Sequence, residues 1–361
     1  MKRYGNIYER MIHPESLFAA WNCFKVGKTK RPDVAEFEWK LEENIFALHR
    51  DLKSKTYRHG PYSSFFITDP KQRHIHKATV RDRVVHHAVF QALNPIFEPT
   101  FISDSYSCRV GKGTHKGVDA LTNMVRKVSR NYTRPCFVLK CDVRRFFDSI
   151  DHHILLEILR ERIADPNVVR LLETVVHSFL PSGQSDLFNR KGVPIGNLTS
   201  QLFANVYMNV FDQFMKHQCK ISHYARYTDD FVIVSGDKAE LIALLPKIKA
   251  FLSERLRLEL HPKKVSICQS HQGVDFLGYV MRRHSRVLRT KTKNRMLKKL
   301  AMKTSDCNAE QISATALRQT LNSYLGVLSH ANAHGLAEKV SSDTILGLEP
   351  ERFAEFFEHK K

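Results

Sequence analysis

A pair of adjacent carboxylates set into an otherwise apolar hairpin constrains this chain more than any other feature. The runs HYARY (223–227) and DFVIV (230–234) are strand-like and are joined only through Thr228 and Asp229, which is hairpin spacing. Asp229 and Asp230 then share the tip, where like charges repel and weaken folding unless cations or basic groups compensate. Asp also favours turns, so the pair taken alone reads as readily as a solvated turn. A third carboxylate changes the balance. Asp142 ends CFVLKCD (136–142), a short apolar run bounded by Pro135 and read as a buried strand. Side-by-side strands would bring Asp142 against Asp229, and three carboxylates can hold two Mg²⁺ ions about 3.5–4 Å apart.

Charge points the same way. Lys and Arg number 57 against 37 Asp and Glu, a formal surplus of +20. Such an imbalance costs self-repulsion unless a polyanion offsets it, and nucleic acid is the commonest one, although charge alone also fits a solvated basic surface. The 42% hydrophobic and 26% charged residues are ordinary for a folded chain and exclude global disorder. There is no apolar run of about 18 residues, so no membrane span is expected. The start, MKRYGNIYERMIHPESL, lacks a signal peptide's apolar core. Seven scattered cysteines without a C-x-x-C pair imply reduced thiols in a cytoplasmic protein and argue against a zinc finger. The pairs His74/His76, His86/His87 and His152/His153 lack an arranged co-ligand and read as solvated or stacking groups before metal ligands.

Periodicity predicts a helix over 36–52, with Phe37, Leu41, Ile45 and Leu48 on one face, and another starting at Asp151 as N-cap. From Thr199, Leu202, Phe203, Val206, Tyr207, Val210, Phe211 and Phe214 mark a strongly amphipathic helix. A helix over 239–256 is stopped by Pro262, and VDFLGYV (274–280) is a short strand. The stretch 282–299 holds nine Lys or Arg and no acid, and reads as basic and helical. Strands interleaved with helices on one sheet imply an α+β core.

These blocks together resemble the reverse transcriptases of the bacterial, group II intron-like branch. FVLKCDVRRFFDSID is similar to that family's first catalytic motif and YTDDFVIV to its Y-x-D-D motif. GVPIGNLTSQLFAN is similar to the motif that grips primer and template, HPKKVSI to the lysine motif, and VDFLGY to the primer-grip hairpin. SYSCRVGKGTHKGVDA and KATVRDRVVHHAV are similar to the fingers motifs, and all stand in the family's order.

The resemblance implies a right-hand polymerase: fingers over 1–135, a palm with a ferredoxin-like antiparallel sheet over 136–285 (carrying a fingers insertion at about 155–198), and a helical thumb over 286–361. It implies two Mg²⁺ ions, with Mn²⁺ a substitute, held by Asp142, Asp229, Asp230 and the neighbouring Val143. Lys264 matches the lysine that protonates pyrophosphate, with Lys263 its rival. Lys71 and Arg73 match residues that hold the triphosphate. Phe147, five residues after Asp142, matches the aromatic gate against a ribose 2′-hydroxyl, although Phe146 and Phe147 could both be core. Ile195, Gly196 and Gln201 fall in the dNTP site. Arg81 and Arg83 either touch RNA phosphate or pair with Asp82, and Arg289, Lys291 and Lys293 hold the template–primer duplex. Leu317, Leu321, Tyr324, Leu325 and Leu328 read as packed thumb core.

Within the family, most relatives carry Gln and Pro in G-x-P-Q-G-x-x-x-S-P, where this chain has Ile195 and Gln201. That wording resembles the reverse transcriptases of diversity-generating retroelements, which misincorporate opposite template adenine during mutagenic retrohoming. LNSYLGVLSHANAHGL is similar to their thumb. The resemblance implies template RNA, an RNA or DNA primer, dNTPs and a small helical accessory protein as partners. Two alternatives stay open: an anti-phage defence reverse transcriptase, and a non-catalytic RNA-binding splicing scaffold. An RNA-dependent RNA polymerase would want a small or polar residue where Phe147 stands. No ribonuclease-type carboxylate cluster or His/Asn/Cys-rich endonuclease tail follows the primer-grip block.

Overall fold

Local signals set most element boundaries. The computed structural model describes residues 2–69, 72–179 and 190–357. It opens with four helices, α1 (Tyr8–Ile12), α2 (Pro14–Lys25), α3 (Pro32–Trp39) and α4 (Leu41–Lys53). The single helix expected over 36–52 is therefore two. Lys40 (φ −119°, ψ 41°) leaves the helical region and breaks it, while Ile45 and Leu48 are buried as the periodicity requires.

An antiparallel hairpin of β1 (Ser63–Ile67) and β2 (Arg73–Lys77) follows, then α5 (Val80–Phe97), capped by the Thr79 side chain accepting from Asp82 N. Helix α6 (Thr114–Val128) precedes β3 (Phe137–Asp142) and the one-turn α7 (Phe146–Ser149). Helix α8 (His152–Arg162) is capped by Asp151, which accepts from His153 N and Ile154 N, and Asp165 caps α9 (Pro166–His177) in the same way.

Helix α10 (Leu198–Gln213) differs from the amphipathic expectation. Ala204, Asn205 and Met208 are buried together with Leu202, Phe203, Val206, Tyr207 and Phe211, because further elements cover its other faces. Next come β4 (Tyr224–Tyr227), β5 (Asp230–Ser235), α11 (Lys238–Leu256) and β6 (Ser266–Gln269). The run 274–280, expected as one strand, is two: β7 (Val274–Phe276) and β8 (Tyr279–Met281) turn about Leu277 (φ 50°) and Gly278 (φ 91°). The basic stretch is likewise not all helix. It begins with β9 (Arg286–Leu288) before α12 (Thr290–Asn308), followed by α13 (Ala314–Leu328), α14 (His334–Leu346) and α15 (Pro350–Phe357).

The main sheet has the order β4-β5-β3-β6. Counted along the chain from β3, that is 2-3-1-4, the strand order of a split βαβ with its first and third strands central. β7, β8 and β9 form a separate antiparallel sheet. The protein is thus mixed helix and antiparallel sheet, the α+β class expected.

Two compact units are present. One comprises residues 1–113, 140–233 and 239–266; the other comprises 114–139, 234–238 and 267–361. The first has a core containing Trp21, Phe24, Tyr207, Phe211 and Phe231. In the second, Leu317, Leu321 and Leu328 of α13 are buried, while Tyr324 and Leu325 are half-buried.

Candidate active site

Strands β4 and β5 pair with Tyr227 opposite Asp230, so Thr228 and Asp229 form a two-residue hairpin loop. Thr228 takes φ 56° there, a left-handed conformation that such loops require and a β-branched residue resists. Two contacts hold it: its hydroxyl donates to Ser107 Oγ at 2.6 Å, and Arg226 Nη1 donates to its carbonyl at 3.0 Å. β3 runs beside β5, and Val143 N donates to the Asp229 carbonyl at 3.2 Å. Asp142, Asp229 and Asp230 therefore come to one place, as side-by-side strands require.

The chain beyond β3 is extended by a second pairing. His261 N donates to the Asp142 carbonyl at 2.7 Å and Arg144 N to the Glu259 carbonyl at 2.8 Å. This delivers Lys264, whose Nζ donates to Asp142 Oδ1 at 2.7 Å. Lys263 is exposed, and its backbone N donates to His261 Nδ1 at 3.2 Å. Burial, then the charges of Asp230 and Asp142, push the Asp229 carboxyl up to about 6. Burial also raises Asp230; Lys140 opposes that and Asp142 adds to it.

Among the described residues no three Asp, Glu, His or Cys side chains form a cage for one ion. The fit to a divalent cation lies in the donor chemistry. Hard carboxylate oxygens, with the proton affinity of Asp229 and Asp230 raised by burial and by the neighbouring acids and with Lys264 and Lys140 opposing that rise, suit a hard cation such as Mg²⁺. Val143 is buried and has only its backbone carbonyl to offer a metal.

The neighbouring loops gather part of the expected nucleotide site. Arg145 (φ 45°) turns the chain after β3, sending Phe146 into the core and leaving Phe147 half-buried, with the two rings 5.4 Å apart. The segment before α10 links this turn to β2: Val193 N donates to the Phe147 carbonyl at 2.8 Å, and His76 N to the Ile195 carbonyl at 3.1 Å. Gly196 is exposed at φ 121°, and a Cβ there would meet Ile75 Cγ2 at 3.1 Å, so the close approach and the backbone both require glycine. Gln201 is exposed on the first turn of α10 and Arg73 is exposed at the start of β2. Lys71 lies outside the described residues.

The other basic candidates have protein partners or lie elsewhere. Arg81 pairs with Asp51 at 2.6 Å and stacks over Tyr57; Arg83 pairs with Asp33 at 2.5 Å and stacks over Phe24. Asp82 instead accepts from Tyr57 Oη, Gly60 N and Thr79 Oγ1, and Arg81 comes no nearer to it than 3.9 Å. In the second unit Arg289 grips Asp275, while Lys291 and Lys293 are exposed on the first turn of α12.

Sequence reasoning missed the support behind the hairpin. Arg226 and Asp212 form a fully buried ion pair, which Tyr224 Oη joins by donating to Asp212 Oδ1 at 2.7 Å. Arg226 also reaches Ser105 Oγ at 3.1 Å and Asn205 Oδ1 at 3.4 Å. The signal was present: Tyr224 and Arg226 share one strand face by period 2, and Asp212 is an acid on a helix otherwise rich in buried apolar residues.

Known proteins similar to this chain point to one family. Residues 68–281 match the family described as reverse transcriptase (RNA-dependent DNA polymerase). Protein YkfC of Escherichia coli is 28% identical over 286 residues, covering 68% of this chain and 74% of its own length. The group II intron-encoded protein LtrA of Lactococcus lactis is 24% identical, covering 77% of this chain, which spans only 57% of LtrA. A solved telomerase from Candida albicans superposes with a TM-score of 0.47 at 11% identity, over 88% of this chain and 65% of that one. With its Y-x-D-D hairpin, its third strand-end aspartate and more than half of its length matched, this chain belongs to the reverse transcriptase family.

Proposed function

We propose that the protein copies a template RNA into cDNA by two-metal nucleotidyl transfer at Asp142, Asp229 and Asp230. The observation that carries the reading is the convergence of these carboxylates at one hairpin tip, where mutual repulsion and burial lift Asp229 to about 6. Divalent cations bound there would activate a primer 3′-hydroxyl and steady the leaving pyrophosphate. Lys264, already against Asp142 at 2.7 Å, stands ready to give a proton to that leaving group. Phe147 would bar a 2′-hydroxyl, and Arg73, with Lys71, would take the triphosphate.

Within this reading we place the enzyme among error-prone retroelement polymerases, working on template RNA with a small helical accessory protein. Ile195 supports it. Its carbonyl accepts from His76 N of β2, and its aliphatic side chain has no donor or acceptor with which to penalise a mismatched pair, unlike the amide most relatives carry. The relatives named as intron-encoded proteins favour a second reading, an RNA-binding splicing scaffold.

One assay separates them: sequencing cDNA made from a defined RNA template. Asp229→Asn should abolish incorporation while leaving RNA binding intact and thermal stability no lower, since the substitution removes a repelling charge. Wild-type-like synthesis by that variant rejects the site, and no synthesis by the parent protein favours the scaffold. Errors should concentrate opposite adenine and fall with Ile195→Gln by roughly tenfold, the worth of about 1.4 kcal/mol. Uniformly low error at all four bases points to the defence enzyme.

A further inference from the structure

The second unit contains a basic cleft that the polymerase reading leaves unused. β8 and β9 form a hairpin whose turn, residues 282–285, is closed by Arg282 N donating to the Ser285 carbonyl at 2.8 Å. This turn is at the opposite end of β8 from the Leu277–Gly278 turn. Together with the end of α6 and the loop between α13 and α14 it encloses an open cleft of about 670 Å³ lined by no acidic residue. Arg126, Arg282, Arg283, His284, Tyr132 and His330 supply its cationic and aromatic surface.

The frame is built and its cations are not spent. Arg286 pairs with Asp119 and exchanges backbone and side-chain hydrogen bonds with Asn332 and the His330 carbonyl, which fixes the loop to the hairpin. His330 stacks on His115 with centroids 3.6 Å apart. Arg130, Asn131 and Tyr132 all take positive φ (48°, 57° and 67°), a strained run that delivers the Tyr132 ring against His284 at 5.6 Å. Among the described residues the side chains of Arg126, Arg282 and Arg283 enter no ion pair or hydrogen bond, and all three are exposed. Three unpaired guanidinium groups around an acid-free cleft repel one another unless an anion enters.

We propose that this cleft binds single-stranded RNA, its guanidinium groups taking phosphates and the Tyr132–His284 rings stacking a base. An acidic protein segment would satisfy the charge equally well. Flat aromatic groups beside the cations favour nucleotides, because base stacking uses them and carboxylates do not.

The test measures anisotropy of a labelled, mixed-sequence single-stranded RNA with no primer, using the full chain across a salt series. Combined Arg126→Ala, Arg282→Ala and Arg283→Ala should weaken binding and flatten the log–log salt dependence by about two units, at about 0.7 per single-strand phosphate contact. Extension of a pre-annealed primer–template at saturating concentration should be unchanged. Tyr132→Leu should weaken the RNA roughly tenfold and Tyr132→Phe should restore it. An equal charge removal elsewhere, Arg10→Ala with Lys30→Ala and Lys53→Ala, should have a smaller effect. Equal loss in that control set, or a parallel loss of primer extension, overturns the proposal. So does displacement of the probe by poly-glutamate as readily as by unlabelled RNA of equal charge. Because the readout is binding without synthesis, it stands or falls apart from the polymerase reading.

Discussion

Two adjacent phenylalanines after a strand could both have been core; the left-handed turn at Arg145 buries Phe146 and leaves Phe147 half-exposed. If Phe147 is the sugar gate, Phe147→Ala should raise incorporation of ribonucleotides relative to deoxyribonucleotides, with RNA affinity unchanged. Unaltered sugar discrimination would return Phe147 to the core. His86 makes a different prediction. Burial, then the neighbouring His59, His87 and Arg83, lower it to about 3, and its Nδ1 lies 2.5 Å from Thr199 Oγ1. A histidine kept neutral in the fold takes up its proton on unfolding, so its contribution is present above the unfolded value near 6.5. That contribution is lost as pH falls from about 6.5 toward 3. Between pH 6.5 and 5 this one group costs about 2 kcal/mol of stability, at about 1.4 kcal/mol per pH unit. His86→Gln, which keeps a partner for Thr199, should flatten the fall of Tm over that range; an unchanged slope would place the acid sensitivity elsewhere.

At the scale of elements, the β4–β5 hairpin is held from behind by a charge pair. Arg226 and Asp212 are fully buried, and removing one partner strands the other's charge, which costs about 3–5 kcal/mol. Asp212→Ala should therefore unfold the protein at markedly lower denaturant. Replacing both, Arg226→Met with Asp212→Leu, should recover much of that stability. The double variant should still polymerise poorly, since Thr228 loses the Arg226 hydrogen bond to its carbonyl. Full activity in a stable double variant would show that the pair serves folding alone. Helix α10 and both hairpin strands are legible in the sequence, because apolar periodicity is a local property. The break at Lys40, the turn inside 274–280 and the burial of Ala204, Asn205 and Met208 on α10 are not. Each of those is decided by what packs against the segment or by one residue's backbone angles.

For the whole molecule, the surplus of +20 predicts salt-sensitive nucleic-acid binding. Where that charge acts is not legible in a count. Of the three basic residues expected to hold the duplex, Arg289 is committed to Asp275, whereas Lys291 and Lys293 remain exposed. Neutralising the two lysines should weaken template–primer binding alike for all sequences and reduce its log–log salt slope by about 2, at about 0.9 per contact. An unmoved slope makes that turn of α12 a solvated face. By itself the sequence determined the α+β class, the two hairpin aspartates and the strand ending in Asp142. Apolar runs and turn residues are short-range codes, and the motif blocks carry the family. Only the tertiary structure decided that Lys264 meets Asp142, that Arg81 and Arg83 turn to Asp51 and Asp33, and that Arg226 is buried against Asp212. Those partners lie from 14 to 122 residues apart, and which opposite charge a long flexible side chain finds depends on the packed chain rather than on its neighbours in sequence.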